Sequence, residues 1–434
     1  MPDAGDCRAR VALVNLGCRV NRVELDMMAL ALQERGCSLV GQRDAEVIVV
    51  NTCAVTGEAQ AKTRKAIRHA AGLPQRPLVV ATGCVANLFA DELAAIGDNV
   101  VVEALKARVP ERVVEAWDEL SASRVAVPAG DGVPSSVLQR TTPTGRTRPG
   151  IKIQDGCDNR CSFCIVWKAR GHSRSLALDE VLKAVRAAQN RGAQEVVLTG
   201  INLGNYRATT PDGGRIALPG LLDVILAQTD VGRVRLSSIE PPDVDDALLS
   251  VMAEAGERVA PFLHVCLQAG CDRTLAGMRR VYDTAQFARM AEHAYEALPG
   301  LALGTDLIVG FPGERDEDFE ESYAFCERMR FARMHIFRYS KRPGTPAAAR
   351  KDQVPPHVAA SRSDRMHALA ARMRHDQAAR HVGSDELVVV QDRGKGVSGG
   401  LFDVLVDESL PLDALVRVHV REVLPDGTLV ARDA

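Results

Sequence analysis

The stretch QDGCDNRCSFC, residues 154–164, places Cys157, Cys161 and Cys164 within eight residues, and the next cysteine is Cys266. Three thiols this close attract a metal or an oxidant, which speaks against an ordinary packed core at that point. Three readings compete. Zinc would take the triplet with His172 as its fourth ligand, since structural zinc sites want four protein donors. A buried structural group is the plain alternative. An iron–sulfur cubane held by three thiolates would leave one iron open for another molecule. The triplet directly follows a short strand pattern, IKIQ (151–154), so whatever it holds sits at a strand's carboxyl end.

Before the triplet, residues 8–118 alternate apolar runs with helical patterns. RVALVNLGC ends in Cys18, AEVIVVNTC in Cys53 and PLVVATGC in Cys84. Near-continuous valine-rich runs predict strands buried on both faces of a parallel sheet. The helical pattern RVELDMMALALQERG stops on Gly36. This is an open α/β domain, and ligands of such sheets gather at the carboxyl ends of the strands. Each run puts a cysteine there, so the three converge as a second ligand-like set. A lone cysteine at a strand end would be only a small buried residue.

Residues 119–148 are rich in Pro, Gly, Ser and Thr and read as a linker, with Arg140, Arg146 and Arg148 as solvated charges or polyanion contacts. Residues 149–380 carry six candidate strands: IKIQ, EVVLTG, RVRLSS, FLHVCLQ, LGTDLIVG and MHIFRYS. With helices between them they predict a partial (β/α)6 barrel. The segment closes with a helix bearing Arg362, Arg365, Arg372, Arg374 and Arg380, either a solvated face or a phosphate-facing one. Residues 382–434 switch to short strands with Gly and Asp-Gly turns, a small β-barrel of the size used for RNA or for purely structural ends.

The formal net charge is −2, so a nucleic-acid partner would have to meet a local basic face. The start, MPDAGDCRAR, lacks the apolar core of a signal peptide, and no apolar run reaches the length of a membrane span. A cytoplasmic chain with no membrane partner follows. In that compartment the odd total of eleven cysteines favours metal or redox chemistry over disulfides. Cys37, Cys266 and Cys326 read as packing residues, and Cys7 lies in a loose terminus.

CDNRCSFC on a six-unit barrel resembles the radical S-adenosylmethionine enzymes, with Phe163 as the aromatic residue before the third cysteine. NLGCRVN, VNTCAVT and ATGC, in the same order of domains, resemble the methylthiotransferases of that superfamily. The resemblance implies an N-terminal methylthiotransferase domain, a radical-SAM barrel and a C-terminal barrel of the TRAM type. It implies two [4Fe-4S] clusters. One, on Cys157, Cys161 and Cys164, would chelate S-adenosylmethionine and generate the 5′-deoxyadenosyl radical. An auxiliary one, on Cys18, Cys53 and Cys84, would hold the sulfur to be inserted. The two would face one cavity between the first two domains.

LTGINLGNY, SSIEPPD, LQAGCDRTLAGMRRVY, DLIVGFPGE and YSKRPGTPAA also resemble family segments. They imply Gly200, Glu240, Gln268 and Ile308 as the lining of the cofactor site, besides Phe163. QDGCDNRC, KARGHSRS and SSIEP are most similar to the branch that methylthiolates carbon 2 of threonylcarbamoyladenosine at tRNA position 37. That branch implies a tRNA anticodon loop, an electron donor such as flavodoxin or ferredoxin, and a sulfur source. The chain departs from the family at Trp167-Lys168, where a Pro-Tyr pair is common, and at Cys271 and Arg338. The rivals are methylthiolation of isopentenyladenosine tRNA or of a ribosomal protein side chain, a one-cluster radical enzyme, and a zinc-containing RNA-binding protein.

Overall fold

The computed structural model describes residues 9–54, 57–123, 142–210 and 212–432. Cys7, and residues 124–141 of the linker with Arg140 among them, lie outside that set. The chain forms two compact units. The first runs to Gly145 and takes in Ile165–Gly171; the second holds Arg146–Cys164 and everything from His172 onward.

In the first unit the valine-rich runs form β1 (Arg10–Asn15), β2 (Ser38–Leu39), β3 (Val47–Thr52), β4 (Leu78–Gly83) and β5 (Val100–Val102), all parallel in the order β2-β1-β3-β4-β5. Side chains alternate across a strand. Ile48 and Val50 therefore pack with Ile67 and Ala70 of the helix Gly57–Ala71. Val47 and Val49 meet Met28, Leu32 and Val113 from the helices Arg19–Glu34 and Val109–Ser123. Both faces being covered explains why the runs show no polar alternation. Gly36 ends the first helix at φ 82°, where Cys37 N–H donates to the Leu32 carbonyl. The helix Val109–Ser123 continues into the stretch read as linker.

The second unit contains six parallel strands: β6 (Gly150–Lys152), β7 (Glu195–Thr199), β8 (Arg233–Leu236, continued by Ser238–Ile239), β9 (Phe262–Val265), β10 (Ala302–Val309) and β11 (Arg333–Arg338). They pair in sequence order, β6-β7-β8 and then β8 through β11, with a break at Ser237. No ladder joins β6 to β11 among the described residues, so the six units make a partial barrel. Helices Leu178–Asn190, Leu218–Gln228, Asp246–Ala255, Thr284–Ala297 and Asp316–Met329 cover its outside.

The remaining strands are β12 (Asp385–Asp392), β13 (Lys395–Ser398), β14 (Asp403–Leu405), β15 (Leu415–His419), β16 (Glu422–Val423) and β17 (Leu429–Val430). They form one curled sheet in the order β15-β12-β13-β14-β17-β16. Its core shares Phe262, Ala302 and Ala332, at the starts of barrel strands. A buried charge cluster fixes that junction. Glu195, fully buried, accepts from Arg233 Nε at 2.5 Å and Arg235 Nε at 2.7 Å, and Arg148 stands 3.3 Å away. Arg233 also donates to the Leu387 carbonyl and Arg235 to those of Ser398 and Gly399. Arg148 is thus neither a solvated charge nor a polyanion contact, because Glu195 holds it inside.

The arginine-bearing helix is Pro356–Ala379. Its charges are met by carboxylates: Arg362 by Glu314 and Asp316, Arg365 by Glu320, Arg372 by Glu327 and Arg374 by Asp403. Arg380, just past its end, donates to the Gln377 side chain. No helix among the described residues is long and apolar enough to cross a membrane.

Candidate active site

In the first unit the sheet order makes neighbours of three strands whose cysteines are far apart in sequence. Cys18 precedes the helix Arg19–Glu34, Cys53 follows β3, and Cys84 opens the short helix Cys84–Leu88 directly after β4. Thr52 pairs with Gly83, so Cys53 and Cys84 leave adjacent strands side by side. The fold at this edge is written in amides. Asn21 Nδ2 donates to the Thr52 carbonyl at 2.7 Å, and Asn51 Nδ2 donates to the Asn21 carbonyl at 2.7 Å. Thr52 Oγ1 accepts from Val85 and Ala86 N–H at 3.1 and 3.2 Å, satisfying the start of the helix that carries Cys84. Gly83 has φ 98°, and a Cβ there would lie 2.4 Å from the Thr52 carbonyl oxygen, so only glycine lets β4 turn into that helix.

The Cys18 thiol is pulled down to about 6, first by its hydrogen bond with Cys53 and then by the Asn21 backbone and the Arg170 charge, against the opposing effect of burial. Arg170 comes from the helix Val166–Arg170, just after the triplet, which packs within this first unit. It donates to Asn21 Oδ1 at 2.6 Å and to Glu24 at 2.8 and 3.1 Å, and Lys106 also meets Glu24. Trp167 and Lys168 lie on the same helix, with the ammonium 5.2 Å from the indole centroid.

In the second unit Cys157, Cys161 and Cys164 occupy the loop after β6 and Gln154. Ser162, between them, anchors it: its N–H donates to the Met278 carbonyl at 2.9 Å, its hydroxyl to Gly277 at 2.8 Å, and its carbonyl accepts from Ala347 N–H at 2.9 Å. Burial raises the Cys157 thiol, and the nearby Cys161 adds to the effect. Arg280 Nη1 lies 3.0 Å from Cys161 Sγ, and the same guanidinium pairs with Glu240. Glu240 is thereby tied to the loop. Gln268 sits at φ 67° and accepts from Ile308 N–H at 2.9 Å. Phe163 and Ile308 pack against one apolar cluster that includes Tyr282 and Phe311. Gly200 lies against Gln154, where a Cβ would come within 2.9 Å of the side chain. Gln154 Oε1 accepts from Ile201 and Asn202 N–H at 2.9 Å, pinning the turn after β7.

All these residues stand at the carboxyl ends of barrel strands. Phe163, Glu240, Gln268 and Ile308 are linked to the loop or to one another, and Gly200 packs against Gln154. His172 does not complete a four-ligand zinc set: its Nδ1 lies 2.8 Å from Asp158 Oδ1 and its side chain is 84% exposed. The six cysteines at the two edges offer thiol sulfurs, a soft donor set that suits iron–sulfur clusters. Cys37, Cys266, Cys271 and Cys326 are buried, and burial raises the last three thiols, Cys326 to about 12. Cys271 packs beside Asp318. Reading from the sequence missed Asn21, Asn51, Thr52, Arg170 and Arg280. All lie inside the quoted motifs, but none is a residue type that marks a ligand.

Residues 151–326 match the family described as the Radical SAM superfamily, and residues 10–103 match the Uncharacterized protein family UPF0004. The chain is 35% identical over 381 residues to the threonylcarbamoyladenosine tRNA methylthiotransferase of Bacillus subtilis strain 168, covering 86% of this chain and 83% of that one. It is 36% identical over 417 residues to the ribosomal protein uS12 methylthiotransferase of Anaeromyxobacter sp. strain K, covering 94% and 87%. Among solved structures, a radical S-adenosylmethionine methyltransferase from Kitasatospora setae shares the fold, with a TM-score of 0.55 at 17% identity over 78% of this chain and 75% of that one.

Proposed function

Because the chain belongs to the radical S-adenosylmethionine methylthiotransferases, enzymes that use that cofactor and two [4Fe-4S] clusters, we propose that it methylthiolates carbon 2 of threonylcarbamoyladenosine at tRNA position 37. Cys157, Cys161 and Cys164 would hold the cluster that binds the cofactor, and Cys18, Cys53 and Cys84 would hold the auxiliary cluster. Bound there, the two clusters supply the electron for radical formation and the site for the transferred sulfur. The protein's part is placement. Ser162 fixes the triplet loop, and Arg280 ties Glu240 to it. Gln268 and Ile308 form the adjoining wall. Asn21, Asn51 and Thr52 hold the strand ends that carry the dispersed cysteines. The curled C-terminal sheet, of the TRAM type, holds the tRNA arm, and the unstacked loop base enters the site.

The observation that carries the substrate reading is the match over most of the chain to the relative named for that nucleoside. The similar match to the ribosomal protein enzyme supports the second reading, a protein side chain as acceptor. Nucleoside mass analysis of tRNA from cells with and without this chain separates them. Loss of methylthio-threonylcarbamoyladenosine is the expected result. An unchanged tRNA profile with a methylthio group missing from ribosomal protein would install the second reading.

A further inference from the structure

Three side chains that the cluster chemistry does not use meet inside the barrel. His264 lies on β9, Asp306 on β10 and His335 on β11, three consecutive strands whose register pairs His264 with Gly304 and Asp306 with His335. Leu303, Leu307 and Val309 of β10 pack in the outer core, so alternation turns Gly304, Asp306 and Ile308 to the lumen. Gly304 makes the room: a Cβ there would come within 2.9 Å of His264 Nδ1 and 2.8 Å of the Phe262 ring.

One carboxylate oxygen is common to both imidazoles. His264 Nε2 lies 3.0 Å from Asp306 Oδ1, and His335 Nδ1 lies 3.1 Å from the same atom. The three ligand atoms fall within 4.8 Å of one another. His264 is the telling member. Its side chain is 5% exposed, and Nε2, although close to the carboxylate, makes no hydrogen bond. A buried imidazole nitrogen aimed at a carboxylate without bonding to it leaves a donor position unfilled. Metal–nitrogen and metal–oxygen bonds of about 2.1 Å put adjacent octahedral ligands about 3.0 Å apart, matching the two separations. Hydrogen bonding accounts for the His335 separation equally well; the His264 contact, at the same length, is not aligned for it.

We propose that His264, Asp306 and His335 form a binding site for one divalent first-row transition metal ion, separate from the cysteine clusters. Two imidazoles and a carboxylate on one side of an ion leave its other positions open. His335, 40% exposed, marks the open side. Cys266 Sγ, 3.8 Å from the other Asp306 oxygen, borders the site as a buried thiol. One cation opposes the ion. Arg333 Nε lies 3.4 Å from His335 Nε2, and it has to turn aside when the metal takes Nδ1 and the proton moves to Nε2.

The test uses the full chain with both iron–sulfur clusters reconstituted, so that the six cluster cysteines are occupied. It is dialysed against micromolar zinc chloride and assayed for zinc and iron together. The expected result is one zinc per chain above the iron content, absent in Asp306→Asn and in His335→Gln while their iron is unchanged. Arg333→Met should lower the half-saturating zinc concentration severalfold, and manganese(II) should lose its free-ion paramagnetic resonance signal with the same variant pattern. No zinc beyond the iron, or a zinc that persists in His335→Gln, overturns the proposal. Should both ligand variants also lose iron, Arg333→Met decides: tighter zinc binding upholds the site, and an unchanged half-saturation removes it.

Discussion

The two cysteine sets are assembled by opposite routes. In the barrel unit one loop carries all three, and three bonds from a single residue, Ser162, moor it to Gly277, Met278 and Ala347. In the first unit three strand ends carry one each, and their approach depends on sheet order and on the buried amides of Asn21 and Asn51. A contiguous set survives local disturbance of its scaffold; a dispersed set is only as good as the sheet beneath it.

The largest effects come from removing ligands. Cys161→Ala should abolish conversion of S-adenosylmethionine to 5′-deoxyadenosine and remove one cluster's share of iron, whereas Cys53→Ala should remove the other share, keep 5′-deoxyadenosine formation and lose the methylthio product. Iron assay with chromatography of the nucleoside product reads both. If Cys53→Ala leaves iron unchanged, the dispersed set holds no cluster and the comparison collapses to one site.

This contrast also explains what the sequence made legible. The barrel set is visible because CxxxCxxC is a local pattern, and the six strand runs announce a parallel fold. The dispersed set is visible only through the repeated Cys at the ends of apolar runs. The amides that make it work were silent, since Asn and Thr at strand ends are usual turn residues. Arg148, read in the linker, was misread and Arg233 and Arg235, in a strand pattern, went unread, because neither setting gives a sign that a buried carboxylate from another strand will meet the charge. The helix Val166–Arg170, contiguous with the barrel loop in sequence, packs in the first unit. That packing follows from partners more than a hundred residues away, such as Glu24 and Asn21, which no local pattern encodes.

Charge against amide gives the next contrast. Burial pushes the Glu195 carboxyl up, but Arg235, Arg233 and Arg148 outweigh it and hold the group well below its usual range. A depressed carboxyl contributes stability above its unfolded value, and that stability is lost as pH falls through the folded one. The barrel unit should therefore weaken progressively below about pH 4, while the amides of the first unit do not titrate there. Glu195→Gln should cost about 3–5 kcal/mol at neutral pH, because it leaves buried guanidiniums uncompensated, and should flatten the acid limb. Urea unfolding across pH measures it; an acid limb unchanged by the substitution would show that Glu195 is not its source.

Next in size is Asn51→Ala, which removes two buried side-chain bonds with Asn21, one to its carbonyl and one from its Nδ2, and should cost about 1–3 kcal/mol. The auxiliary iron should fall with it while the barrel cluster stays.

The smallest effect tests the other half of the comparison. Ser162→Ala removes one hydroxyl bond to Gly277 but keeps both backbone bonds of that residue, to Met278 and Ala347. A single net hydrogen bond is worth about 0.5–1.5 kcal/mol, and the backbone bonds still hold the loop. Barrel iron and 5′-deoxyadenosine formation should therefore remain near wild type although unfolding shifts slightly. If Ser162→Ala instead strips the barrel cluster as Asn51→Ala strips the auxiliary one, the contiguous set is no more tolerant than the dispersed one. Proximity in sequence would then confer no robustness, and both sites would depend equally on single side-chain bonds.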